Sequence, residues 1–169
     1  DDLALGVDDL PRATADAVVF TAWLAQDPDG DTDVYVYDVG TGSAELVGGG
    51  PKQQRFADVS STHIAYSDFA EDPNGFYDGD GVSLADVVLV DRTLGTSTPI
   101  ANIGKQAFPM LGGGGVLGFL EWVMVHPIPK LQAFAIKSVP LSDPLATPTK
   151  IADVESDARV RPVASGGLF

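Results

Sequence analysis

Short runs in which hydrophobic and polar residues alternate recur along the chain and predict β-strands. Three of these runs are "AVVFTA" (17–22), "HIAYSD" (63–68) and "VLGFLEW" (116–122). A second run follows each of them: "DVYVYDV" (33–39), "DVVLVDR" (86–92) and "QAFAIKS" (132–138). Alternation with a period of two residues directs side chains to opposite faces of a strand. Because helical periodicity is weak throughout, we predict an all-β protein.

The predicted strands belong to a unit that repeats about every 50 residues. Each unit opens with a short segment, and Pro11, Ala57 and Pro109 occupy corresponding positions in these segments. A third, shorter run closes each unit: "AELV" (44–47), "TPIANI" (98–103) and "TKIADV" (149–154). The sequences "DVGTG" and "DRTLGT" predict hairpin turns that begin at aspartate and use a glycine with positive φ. Four antiparallel strands per unit at this period indicate β-propeller blades.

We predict a single propeller segment of three blades and part of a fourth. Blade 1 covers 10–54, blade 2 covers 55–106, blade 3 covers 107–158, and 159–169 supplies the first strand of a further blade. A propeller ring contains about four to eight blades. We therefore expect the remaining blades to come from a longer natural chain, from self-association of two copies, or from a protein partner. The alternative fold is a β-sandwich in which the spacing is coincidental.

The pattern F-x-x-V-S, I-A-Y-S-D, D-V-x-L-V-D and G-T resembles the repeats of TolB-like six-bladed propellers. The resemblance covers about residues 10–169 and is strongest from Arg55 to Ile103. The usual Ser-Pro-Asp-Gly turn of that family is replaced by "SSTH" (60–63) and "GGGG" (112–115). The resemblance implies a propeller that binds protein partners at its loop-rich faces, in the periplasm or outside the cell.

Composition and charge narrow the possible functions. Of the 24 acidic residues 20 are aspartate, and with 19 glycines and 12 prolines this composition is typical of short strands joined by tight turns. The net charge of −14 argues against binding to nucleic acid or to anionic membranes. No hydrophobic run approaches the roughly 18 residues that a membrane-spanning helix needs, so we expect no membrane insertion. There is no cysteine to form disulfides or thiolate metal sites.

Two acidic loops are candidate calcium sites, and both lie in residues 1–100, which carry 19 acidic and 4 basic residues. The first loop, "DPDGDTDVYVYD" (27–38), contains Asp27, Asp29, Asp31 and Asp33. The second loop (71–86) contains Asp78, Asp80 and Asp86. Calcium prefers six to eight oxygen ligands, and the glycine within each Asp-Gly-Asp allows a sharp turn. The alternative is that both loops are solvated turns, because neither has the glutamate that closes an EF-hand loop.

No catalytic signature accompanies these loops. His63 and His126 are predicted in or beside turns, and the chain contains no G-x-S-x-G motif. Asp68 and Glu121 end corresponding strands, but a glycosidase pair also requires a defined separation between its carboxyl groups. We therefore predict no catalytic residues and a protein-binding or assembly scaffold, with Ca²⁺ as its candidate ligand. The alternative is a propeller fragment of a larger hydrolase of the serine peptidase type, whose catalytic domain lies outside this sequence.

Overall fold

A computed structural model describes residues 10–23, 31–70, 85–100, 106–123 and 132–156. Within these ranges the regular secondary structure consists of β-strands. In the same part of the chain there is no helix long and hydrophobic enough to cross a lipid bilayer. The predicted first strand of a further blade, at 159–169, lies outside the described residues.

Twelve strands in the described ranges form three antiparallel sheets of four strands, each in chain order. Sheet 1 consists of β1 (Arg12–Ala13), β2 (Ala17–Ala22), β3 (Asp33–Asp38) and β4 (Ser43–Gly48). Sheet 2 consists of β5 (Gln54–Val59), β6 (His63–Asp68), β7 (Asp86–Asp91) and β8 (Thr96–Pro99). Sheet 3 consists of β9 (Gln106–Gly112), β10 (Val116–Val123), β11 (Gln132–Pro140) and β12 (Thr149–Ser156). The prediction of an all-β chain with four-stranded antiparallel units is confirmed.

Sheet 2 lies between the other two sheets, and both of its faces are buried. Alternate residues of β6 and β7, among them Ile64 and Val90, pack against sheet 1. The residues between them, such as Ala65 and Leu89, pack against sheet 3 together with Phe119. This arrangement of three stacked sheets differs from the two facing sheets of the β-sandwich alternative.

The first strand of each following sheet docks on the preceding sheet through a repeated backbone hydrogen bond. The Gln54 N–H, at the start of β5, donates to the Thr32 carbonyl at 2.6 Å, and the Gln106 N–H, at the start of β9, donates to the Ala85 carbonyl at 2.8 Å. Thr32 and Ala85 both immediately precede the third strand of their sheet. The two junctions are therefore built on the same backbone geometry.

The hairpin turns between the third and fourth strands of sheets 1 and 2 are those that the sequence predicts. Asp38 and Asp91 each accept the N–H of the glycine four residues later on their carbonyl, at 2.9 and 2.8 Å. Those glycines, Gly42 and Gly95, have φ angles of 69° and 65°, a conformation that costs glycine little and other residues more.

Candidate functional site

The last residues of β2 and β6, which the acidic segments follow in the sequence, define one end of the stacked sheets, which we call the loop end. A row of polar residues crosses sheet 2 at this end. Gln54, Asp68 and Asp86 lie opposite one another on β5, β6 and β7. Gln54 is only 2% exposed, and its Nε2 donates to Asp68 Oδ1 at 3.1 Å. The same carboxylate oxygen accepts the Ala70 N–H at 3.0 Å, which fixes its position where β6 ends.

A corresponding row crosses sheet 3 but is paired differently. Gln106 lies opposite Glu121, and the Gln106 side chain is fully buried. Within the part of the chain that the structure describes, neither the nitrogen nor the oxygen of the Gln106 amide has a hydrogen-bond partner. Glu121 instead forms an ion pair with Lys137, with 2.5 Å between Oε2 and Nζ. A buried amide without partners costs about 1–3 kcal/mol, so this position is tolerated rather than optimised for stability.

Two phenylalanines at this end have left-handed backbone conformations. Phe56 in β5 has φ of 58°, and Phe108 in β9 has φ of 56°. Each lies in an irregularity of its strand pair, where the register shifts between Arg55 and Asp58 and between Gly118 and Leu120. The two rings pack against each other with centroids 4.4 Å apart. Equivalent residues of neighbouring sheets, each with a strained backbone, are therefore in direct contact.

Side chains of sheet 2 also hold the backbone of β9. Ser67 Oγ accepts the Phe108 N–H at 3.1 Å, and Asp58 Oδ2 accepts the Leu111 N–H at 2.8 Å. The Phe108 N–H lies within the irregular segment of β9, and the Leu111 N–H lies shortly after it. The repeat of Gln-x-Phe at 54–56 and 106–108 is the sequence signal of this arrangement.

The structure describes three of the seven predicted calcium ligands. Asp33 and Asp86 begin β3 and β7, and Asp31 is 9% exposed just before β3. The other four lie outside the described residues: Asp27, Asp29, Asp78 and Asp80. Among the residues that the structure does describe, no three His, Cys, Asp or Glu side chains are grouped closely enough to hold a metal ion. Calcium binding therefore stays a prediction.

His63 begins β6 at the opposite end of the sheets, and His126 lies outside the described residues. The His63 Nδ1 lies 2.8 Å from the Thr62 hydroxyl. The nearby Ser60 hydroxyl accepts the backbone N–H of His63 at 3.0 Å. This serine therefore organises the turn between β5 and β6 through its contacts with the backbone.

Comparison with known proteins relates this geometry to one propeller class. No protein-family model and no curated protein sequence matches the chain. A structure assigned as TolB from Agrobacterium tumefaciens is similar, with 15% identity and a TM-score of 0.53 over 80% of this chain. The AtxE2 isopeptidase, solved in its apo form, matches 84% of this chain at 13% identity with a TM-score of 0.36, which is too low to support an argument.

The first of these similarities confirms the resemblance to TolB-like propellers that the sequence indicates. At 15% identity it concerns the fold alone. The chain spans 46% of the length of that TolB structure and 25% of the isopeptidase. The whole activity and the partners of such proteins therefore do not transfer to this chain by similarity.

Proposed function

We propose that this chain is a non-catalytic propeller module that serves as a protein-binding or assembly scaffold, in the periplasm or outside the cell. The stacking of the three sheets carries the proposal. A middle sheet with a sheet against each face is the environment of a propeller blade, and a ring of such blades needs more than three. Further blades, from a second copy or from another chain, would pack on the outward faces of sheets 1 and 3.

The outward face of sheet 1 supports this proposal. Tyr37 and Leu46, on β3 and β4, are 38% and 55% exposed and belong to the face turned away from sheet 2. Tyr35, which lies opposite Leu46 on that face and is only 8% exposed, stacks on Phe20 with ring centroids 5.8 Å apart. An apolar and aromatic surface of this kind is typical of an interaction site.

The state of assembly tests the scaffold proposal. We expect native mass spectrometry to find two copies per particle, which would give six blades, and Leu46→Asp to shift the population toward one copy. Leu94→Asp is the matched control, because Leu94 is 72% exposed in the turn between β7 and β8, away from this face. A chain that stays monomeric at every concentration, with both variants behaving alike, would contradict self-association through sheet 1.

We also propose that Ca²⁺ binds the first acidic loop. The support is the chemistry of the ligands, since Asp31, two residues before Asp33 in the sequence, is only 9% exposed, and a carboxylate in a poorly solvated position favours a cation. A concentration of ten times Kd stabilises a folded chain by about 1.4 kcal/mol, which corresponds to a rise in melting temperature of about 3–6 °C.

The calcium prediction is tested by thermal unfolding in 2 mM CaCl₂, in MgCl₂ and in EDTA. We expect the rise with calcium to disappear in the double variant Asp29→Asn, Asp31→Asn. Asp143→Asn removes one exposed carboxylate elsewhere in the chain and should retain the rise. An equal rise in the double variant would show that any calcium effect originates at another place.

A further inference from the structure

A cleft of about 180 Å³ opens between sheets 1 and 2 at the end opposite the loop end. Its floor is apolar and is contributed by both sheets: Val36, Val47, Ile64 and Val90. Three of these side chains belong to the core between the sheets, and Val47 packs against it from β4. The floor is therefore a rigid part of the junction and not a surface irregularity.

The rim of the cleft is mainly negative. It carries three carboxylates and one guanidinium: Asp38, Glu45, Asp91 and Arg92. Asp38 and Asp91 each use one oxygen, Oδ1, to accept backbone N–H groups of their own hairpin turns. These bonds, from Thr41 to Asp38 and from Leu94 and Thr93 to Asp91, lower the pKa of both carboxyl groups. Both are therefore ionised at neutral pH.

The single cation of the rim is already engaged. Arg92 Nη1 donates to the carbonyls of Ser60 and Ser61 at 2.9 and 3.1 Å. Its Nη2 forms an ion pair with Asp16 of sheet 1 at 2.9 Å. Because the guanidinium is directed to these partners, the carboxylates of the rim keep their negative charge for another cation.

The junction between sheets 2 and 3 has a different residue at the position equivalent to Arg92. A repeated backbone bond defines the equivalence, since the Arg92 N–H donates to Thr62 and the Leu141 N–H donates to Gly115, both at the start of a second strand. Leu141 therefore replaces Arg92, and it packs against the apolar core between sheets 2 and 3. The second junction thus has an apolar side chain where the first has the guanidinium of the rim.

We propose that this cleft binds an arginine side chain of a protein partner. An apolar cavity of about 150 Å³ accommodates benzene, and the part of arginine beyond Cβ has roughly the same number of heavy atoms. Its methylene groups would lie on the valine and isoleucine floor, and its planar guanidinium would reach carboxylate oxygens on the rim. The inference deepens the scaffold function, because the arginine would belong to the partner that the scaffold recognises.

The test uses n-propylguanidinium as a probe and methyl NMR of the whole chain. We expect saturable shifts of the Val36, Val47, Ile64 and Val90 methyls with a millimolar Kd, and weaker binding of n-propylammonium. Glu45→Gln should weaken binding about tenfold, because it removes a charge-assisted partner without changing a turn. Asp143→Asn removes a carboxylate outside the cleft and should leave binding unchanged.

Two outcomes would overturn the proposal. Equal shifts with uncharged 1-butanol would show a purely apolar cavity, and unchanged affinity in Glu45→Gln would show that the rim does not recognise the cation. Val47→Phe, which fills the floor, provides a second variant and should abolish the shifts. Binding of a small cation does not depend on the number of copies per particle that mass spectrometry measures. A negative result for the cleft and a negative result for the scaffold proposal can therefore be distinguished.

Discussion

Phe56 and Phe108 are the residues at which local conformation and packing conflict most clearly. A left-handed backbone costs an L-residue about 1–2 kcal/mol, yet both positions hold phenylalanine. Their rings contact each other, and Phe56 also meets the fully buried Phe69 edge-on with ring centroids 6.3 Å apart. Ring packing between neighbouring sheets offsets the backbone cost. The sequence could not reveal this, because "RFADV" has the hydrophobic pattern of a regular strand.

Substitution of Phe56 by glycine should therefore destabilise the fold less than substitution by alanine, which is the reverse of the usual order in a strand. Both Phe56→Ala and Phe56→Gly lose the ring, but only glycine relieves the left-handed strain. We expect Phe56→Gly to be more stable than Phe56→Ala by about 1 kcal/mol in urea unfolding. At Val59, where β5 ends with ordinary backbone, the order should reverse, with glycine less stable than alanine by about 0.5–1 kcal/mol. The same order at both positions would contradict the strain argument.

At the scale of the element, strands and turns were more predictable than their irregularities. The hydrophobic runs predicted the second and third strands of all three sheets, since each of those strands packs at least one face on a core. The hairpin turns could be predicted from their aspartate and glycine, because the hydrogen bonds and backbone angles of a turn depend on its own residues. The register shifts in β5 and in the β9–β10 pair were not, because they depend on contacts with a neighbouring sheet.

The polar residues of the loop end show the same limit. The spacing of aspartates identified candidate ligands, but it gave no indication that Gln54 and Gln106 are buried beside Asp68 and Glu121. Glutamine in an otherwise polar segment predicts a solvated position. Its burial here follows from the docking of β5 and β9 on the preceding sheet, which is a property of the repeat and not of the local sequence.

The turns provide a matched pair of glycine substitutions. A Cβ added at Gly95 or at Gly114 would meet no atom within 4 Å, so neither substitution causes a clash. The two positions differ in backbone conformation. Gly95 has a left-handed φ of 65°, whereas Gly114 does not have a positive φ, because the left-handed glycine of the β9–β10 turn is Gly115. We expect Gly95→Ala to lower the free energy of unfolding by about 1–2 kcal/mol. Gly114→Ala should be neutral or stabilising by up to about 1 kcal/mol.

Chemical denaturation measures both variants, provided that their m-values match the parent. If the two substitutions had the same effect, conformational strain in the β7–β8 turn would not be the deciding factor. The sequence "GGGG" predicted a turn without indicating which glycine adopts the left-handed conformation. That choice depends on the register of β9 with β10, which pairs Gly112 with Val116.

At the scale of the whole molecule, the repeat period predicted three similar units, and their contacts make the units unequal. Sheet 2 receives a core from each side, whereas the structure describes a neighbouring sheet on one face only of sheets 1 and 3. The junctions differ as well, since the first contains a charged cleft lined by Arg92 and the second has Leu141 at the equivalent position, packed against the apolar core. In a row of stacked repeats, stability depends on such nearest-neighbour interfaces.

We expect the different burial of the three sheets to produce different rates of amide hydrogen exchange. The amides of Ile64–Ser67 and Val87–Val90 lie in the two central strands of sheet 2, so we expect them to exchange only through global unfolding. Amides of β8, whose side chains are mostly exposed, should exchange at least about tenfold faster through local opening. Exchange measured in increasing sub-denaturing urea separates the two routes, because only global opening carries the full m-value. Slowest exchange in β8 would contradict the central position of sheet 2, since it would mean that the exposed edge strand is covered while the core strands open.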